Sequence, residues 1–190
     1  SQRQMCIRDR LYTAVDVQDE RQLAFYEHNG FKMDYTEDLV RLNDPDEVPQ
    51  LFNCSCITLP LNTVQEQMDL VSRMRGAGFS YFDHGFLLQQ MNRQNFAALG
   101  ILYGSNLVGA CVAAGQYTSA EVMGLYIVPE FQRKGLGTRL LQQTKQALAS
   151  TGVTDLTMRV MSDSEPQVRL VQRFRAELVE HTSVFPSMQI

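Results

Sequence analysis

The chain lacks several things that would settle its class at once. No apolar run is long enough to cross a bilayer as a helix. There is no excess of positive charge. Its 17 Lys and Arg face 21 Asp and Glu, a formal net charge of -4, and the sequence pI is near 5.4. That balance argues against nucleic acid as the main partner. Four cysteines are present, Cys6, Cys54, Cys56 and Cys111, but none has zinc spacing, so no metal site is expected. Cys54 and Cys56 sit two apart in an expected strand and share a face. Reduced, buried thiols in a cytoplasmic protein are the simplest reading. No signal-peptide pattern is visible, although the first residues are suspect for the reason given below.

What is present suffices for a folded domain. The 190 residues suit one domain with an extra piece, and 44% apolar content supports a sizeable core. The most informative stretch is Ile127-Val128-Pro129-Glu130-Phe131-Gln132-Arg133-Lys134-Gly135-Leu136-Gly137-Thr138. It reads as a strand end, a Pro break and a basic turn with two glycines. An amphipathic helix follows, with Leu136, Leu140, Leu141 and Leu148 on one face. The N–H groups at a helix start have no intrahelical partner and carry partial positive charge, so they receive phosphates well. Gly135 and Gly137 allow ligand oxygens close to the main chain, and Arg133 and Lys134 add charge. A Rossmann dinucleotide site would need a third glycine and a later acid. A P-loop would need Gly-Lys-Ser/Thr after four spacers. Neither is found.

Gln132-x-x-Gly135-x-Gly137 after that strand resembles the acyl-CoA signature of the GNAT acetyltransferases. The order of expected elements after residue 50 is also similar to that family. First come a strand near 55–59, a helix opened by the capping box Thr63-x-x-Glu66, and a helix near 82–92. Strands at 96–103 and 107–114 are joined by Gly104-Ser105-Asn106. Another strand runs over 121–128, with a helix at 135–150, a strand at 155–161 and a helix at 165–173. Two last strands are expected within 175–190. The resemblance implies an α/β fold: a mixed, largely antiparallel twisted sheet flanked by helices, with a splayed parallel strand pair. It further implies acetyl-CoA as cofactor, held by Gln132, Arg133, Lys134, Gly135, Leu136, Gly137 and Thr138. Main-chain groups near Ile127 and Val128 would lie along the pantetheine arm.

The implied activity is transfer of an acetyl group to a primary amine of a small molecule or peptide. Glu121 is the first candidate for the base, because many family members carry a strand glutamate near that position. A carboxylate beside a dry cleft can take a proton directly or through water. His84, after Asp83 in the region bordering the acceptor site, is the second candidate. One departure is clear. The family commonly places a Tyr in the helix after the splayed strand, where it protonates the leaving thiolate, and here that position is Val171. The alternative function is therefore a non-catalytic acyl-CoA-binding or structural half of a tandem protein.

The N-terminal region suggests why a half is in question. Leu11-Tyr12-Thr13-Ala14-Val15 matches Leu156-Thr157-Met158-Arg159-Val160, and Glu20 matches Glu165, at a constant offset of 145 residues. At that offset Tyr26 stands where Val171 does, and Gly30-Phe31 where Arg175-Ala176 do. The match stops upstream of residue 11. Gln4-Met5-Cys6-Ile7-Arg8-Asp9 resembles the translation of a transposase-type sequencing adapter. The expected organisation is an adapter-like artefact at 1–10 and the C-terminal remnant of a first GNAT domain at 11–43. An acidic, Pro-punctuated linker at 44–50 and a complete GNAT domain at 51–190 would follow. A first GNAT domain is thus an expected partner.

Overall fold

The structure, a computed structural model, describes residues 10–189. The adapter-like stretch therefore lies outside the described residues, except for Arg10. The class is α/β: a largely antiparallel sheet with one parallel strand pair, flanked by helices. The chain divides into two compact units.

The larger unit comprises Leu42–Met158 with Arg173–Arg175. Its elements are β4 (Cys54–Thr58), α2 (Val64–Gly76), α3 (His84–Met91), β5 (Asn95–Tyr103), β6 (Asn106–Gln116), β7 (Ser119–Ile127) and α4 (Leu136–Ala149). It ends with the first residues of β8 (Asp155–Met161). The strand order is β4-β5-β6-β7-β8, antiparallel up to β7 and parallel between β7 and β8. A parallel neighbour needs a crossover, and α4 supplies it. Leu136, Leu140, Leu141 and Leu148 are all buried, as their spacing predicts. On β6, side chains alternate between faces. Buried Cys111 faces Thr144 of α4. Ala110 and Val112 instead join the core of Leu70, Val71, Met74, Phe82 and Leu87 from α2, α3 and the loop between them. So α4 covers one face of this sheet, and α2 with α3 the other.

The smaller unit comprises, of the described residues, 10–41, then Arg159–Gln172, then 176–189. It contains β1 (Arg10–Tyr12), β2 (Val15–Asp16), α1 (Glu20–His28), β3 (Lys32–Arg41), the end of β8, α5 (Glu165–Arg173, through Gln172) and β9 (Glu177–Gln189). β3 runs antiparallel to β9 along nearly its whole length. The opposite edge of β9 carries β1 and β2. Pro186 pairs with Met33 beside a register shift, a place where a strand tolerates a missing N–H.

Two strands were expected in 175–190, but one 13-residue strand fills that stretch. The long neighbour it needs is β3, from far upstream. A residue-by-residue pattern shows that a strand exists but not which distant segment pairs with it.

Candidate active site

The site is built on β7 and the turn that leaves it. Val112 pairs with Gly124 and Ala113 with Val122, so Met123 is the extra residue of a β-bulge. The Met123 carbonyl accepts the Tyr81 hydroxyl at 2.6 Å. The parallel ladder with β8 runs from Ser119↔Asp155 to Val122↔Met158. β7 continues to Ile127, and among the described residues no further β7–β8 pair follows Val122. The parallel ladder is thus confined, among the described residues, to the part of β7 before the bulge.

Past Ile127 the chain turns sharply. The Val128 N–H donates to the Val108 carbonyl, and the Phe131 N–H to the Val128 carbonyl, closing a 3-10 turn over Pro129–Phe131. The Gln132 side chain reaches back and donates to the Ile127 carbonyl at 2.8 Å, which fixes the turn to the strand end. Arg133 then takes φ 60 and Gly135 φ 82, both left-handed. Gly135 is the N-cap of α4, and no side chain caps this helix. The first-turn N–H groups from Leu136 to Thr138 therefore have no intrahelical acceptor and no side-chain cap. Gln132, Arg133 and Lys134 are exposed around this mouth. The Lys134 ammonium lies 5.0 Å from the centre of the Phe131 ring, and Tyr103 packs against that ring at 5.1 Å.

The segment 44–50 holds the outside of the turn. Lys145 bonds Asp44 at 2.7 Å and lowers its carboxyl pKa through that hydrogen bond and its charge. Asp46 pairs with Arg175. Pro49 lies against Gly135 so closely that a Cβ there would fall 2.7 Å from Pro49 Cγ.

Glu121 is half-buried and pairs across the strands with Ala114, two residues from Val112. It therefore points to the same face as α2 and α3, as do Gly124 and Tyr126 beyond the bulge. His84 is the first residue of α3, after the capping Asp83. Its Nε2 lies 2.7 Å from Gln67 Oε1, while the Gln67 amide NH2 donates to the Leu61 carbonyl. With the amide so fixed, Nε2 carries a proton and donates to Gln67. The structure thus gathers residues 127–138 at one end of β7. It sets Glu121 further back on that strand, about 20 Å along it at strand rise, and holds His84 on the helices covering the Glu121 face.

Three features escaped sequence reasoning. These are the Met123 bulge, the Tyr81 hydroxyl that pins it, and Tyr126. Tyr126 is 8% exposed; burial pushes its phenol pKa up, and the charge of Arg73 opposes that. Gly124 beside the bulge was the available signal. Val171 is buried, at 7% exposure, and offers no proton where the resemblance expects a Tyr.

The sequence model of the Acetyltransferase (GNAT) family matches residues 65–175. No curated protein matches the chain. Among solved structures, the GCN5-related N-acetyltransferase from Sphaerobacter thermophilus is similar, with TM-score 0.69 and 13% identity over 95% of this chain and 59% of that one. The tandem GNAT protein from the clavulanic acid biosynthesis pathway has TM-score 0.64 and 20% identity, covering 95% of this chain and 64% of the other. The chain thus spans about three-fifths of the length of these two. A GNAT family acetyltransferase from Elizabethkingia anophelis, solved with acetyl-CoA bound, has TM-score 0.54 and 13% identity, covering 74% of this chain and 100% of that one.

Proposed function

Because the chain belongs to the acetyltransferase (GNAT) family, we propose that it is an acetyl-CoA-dependent N-acetyltransferase acting on a primary amine. The observation that carries the proposal is the uncapped mouth of α4 at the end of a strand whose parallel neighbour stops pairing halfway. The residues fit a long, thin cofactor with a diphosphate at one end. Backbone N–H groups from Leu136 to Thr138 would hold the diphosphate, with Arg133 and Lys134 screening its charge. The open edge of β7 up to Ile127 and Val128 would pair with the amides of the pantetheine arm, as another strand would. When bound, acetyl-CoA would supply an activated acetyl thioester.

The chain's own groups do the rest. An N–H on the β7 edge near the bulge, held in place by the Tyr81–Met123 bond, would polarise the acetyl carbonyl. Glu121 would accept one proton from the incoming ammonium, directly or through water, and leave the amine lone pair free to attack; the second amine proton would pass through water to the departing thiolate, because Val171 offers none. His84, with Nε2 committed to Gln67, would present Nδ1 to the acceptor as an alternative base or a positioning group. The acceptor class remains a small-molecule or peptide amine, and the setting proposed is the cytoplasm.

A second reading has a specific observation behind it. Val171 is apolar and buried where the family resemblance places a thiolate-protonating Tyr. A non-catalytic acyl-CoA-binding or structural half of a tandem protein accounts for that. In the same reading, residues 11–43 are the tail of a first such domain, 44–50 a linker and 51–190 a complete domain. Release of free thiol from acetyl-CoA with a panel of amines separates the two. The first reading expects turnover, and expects Glu121→Gln to lower kcat by about 10²–10⁴-fold with CoA affinity unchanged. Tight CoA binding with no thiol release for any amine would leave the second reading standing.

A further inference from the structure

The uncapped start of α4 raises the question of what holds its shape. Glycine adopts positive and negative φ about equally readily, so Gly135 alone does not maintain the φ of 82 at which it caps the helix. No side-chain hydrogen bond caps the helix either. The Gln132 bond to Ile127 fixes the turn three residues earlier, before the chain reaches Gly135. The contact that does reach Gly135 comes from 44–50, the segment expected as a linker.

That segment is anchored at both ends within the larger unit. At its start, the Asn43 N–H donates to the Phe174 carbonyl at 3.0 Å, and the Asn43 side-chain amide to the Arg175 carbonyl at 2.9 Å. The Asp46 N–H donates to the Arg173 carbonyl, and its carboxylate pairs with Arg175. Past its far end, the Asn53 carbonyl accepts the Gly104 N–H at 2.8 Å, and β4 begins at Cys54. Between these anchors it meets α4 twice. Asp44 bonds Lys145 Nζ at 2.7 Å, and Pro49 lies against Gly135 on the side where a Cβ would stand. Gly135 and Lys145 are ten residues apart, about 15 Å along a helix. Asp44 and Pro49 are five residues apart, at most about 18 Å of extended chain. Spanning the two contacts uses much of that reach. Asp44-Pro45-Asp46-Glu47-Val48-Pro49-Gln50 contains two prolines and no glycine, which keeps it stiff.

We propose that 44–50 is a strap that sets the α4 mouth for the CoA diphosphate, with Pro49 as its positioning residue. A proline ring fixes its own φ and has no long side chain to order, so it holds its place against Gly135 at small entropic cost. The strap acts through Gly135 and need touch no part of the cofactor. The Asp44–Lys145 pair, exposed on the Asp44 side, adds a weaker clasp that salt screens. The inference rests on the acetyl-CoA reading, and its test reads the strap in the ligand-free protein as well as in CoA binding.

The test compares the full chain with Pro49→Gly and with a second variant that keeps Pro49 but carries two glycines inserted between Glu47 and Val48, which slackens the strap. In the ligand-free protein the Arg139 N–H donates to the Gly135 carbonyl at 3.1 Å. That amide should exchange with solvent at least about tenfold faster in both variants. The Gln67 N–H, which donates to Thr63 at the matching place in α2, should exchange as before. By calorimetry, CoA affinity should fall at least about tenfold in both variants. Pantetheine, which lacks the diphosphate, should bind as it does to the unmodified chain. Unchanged Arg139 exchange in either variant overturns the strap. Faster exchange with unchanged CoA affinity, or an equal loss of pantetheine affinity, overturns its role toward the diphosphate. An unmodified chain that binds no CoA overturns the acetyl-CoA reading and that role with it, and the Arg139 exchange then tells whether the strap itself stands.

Discussion

Helices α2 and α4 begin in opposite ways. At α2, Thr63 accepts the Glu66 N–H while Glu66 accepts the Thr63 and Asn62 N–H groups, so the helix satisfies its own first turn. At α4 the N-cap is a left-handed glycine, with no side chain turned back on the helix. The body of α4 is as well sealed as any element, with Leu140, Leu141 and Thr144 fully buried. The proposed function turns on that difference. A helix that only supports the fold closes its N-terminus with a local side chain. A helix that binds an anion leaves those N–H groups exposed and surrounds them with cations.

The largest effect should come from closing the open mouth. Gly135→Asp puts a carboxylate where the diphosphate is proposed to sit, strains a backbone at φ 82 and drives a Cβ toward Pro49. CoA affinity by calorimetry should fall by more than about 100-fold, roughly 2.7 kcal/mol. Unchanged affinity would move the site elsewhere.

The sealed body of α4 gives the next effect. Burial raises the Cys111 thiol to about 12 from an ordinary value of 9.0. The folded state therefore keeps its proton where the unfolded state loses it. Its stability contribution is full below pH 9 and declines as pH rises toward 12, by up to about 1.4 kcal/mol per pH unit. Denaturant midpoints at increasing alkaline pH should show that slope, and Cys111→Ala should flatten it.

The capped start gives the smallest effect. Thr63→Ala should cost about 1 kcal/mol of stability and leave CoA affinity within about twofold. A large loss of CoA affinity would mean that the two helix mouths are not functionally distinct.

Much of this was legible in the sequence, because it is local. The apolar spacing of 136–148, the Thr63–Glu66 box and the turn glycines each fix nearby backbone. β8 and α5 begin and end where periodicity and the Ser164–Pro166 start place them. Non-local features were harder to read. Nothing around Lys32–Arg41 reveals that it lies between β9 and β8, since strand order depends on pairing across more than a hundred residues. The Met123 bulge depends on a register with β6, and the commitment of His84 Nε2 depends on how Gln67 is held from Leu61. At the candidate site, the turn proposed to receive the anion is a local sequence motif and could be read, whereas the arrangement about Glu121 is a matter of faces and could not.

The most direct test is a titration of CoA into isotope-labelled protein, following backbone amide resonances. The largest shifts should fall on Gly135, Leu136, Gly137 and Thr138, with Glu66 and Phe86 at the capped helices unmoved. Pantetheine, which lacks the diphosphate, should leave the 135–138 amides in place. Saturating CoA binding with no movement of those four amides would contradict the account.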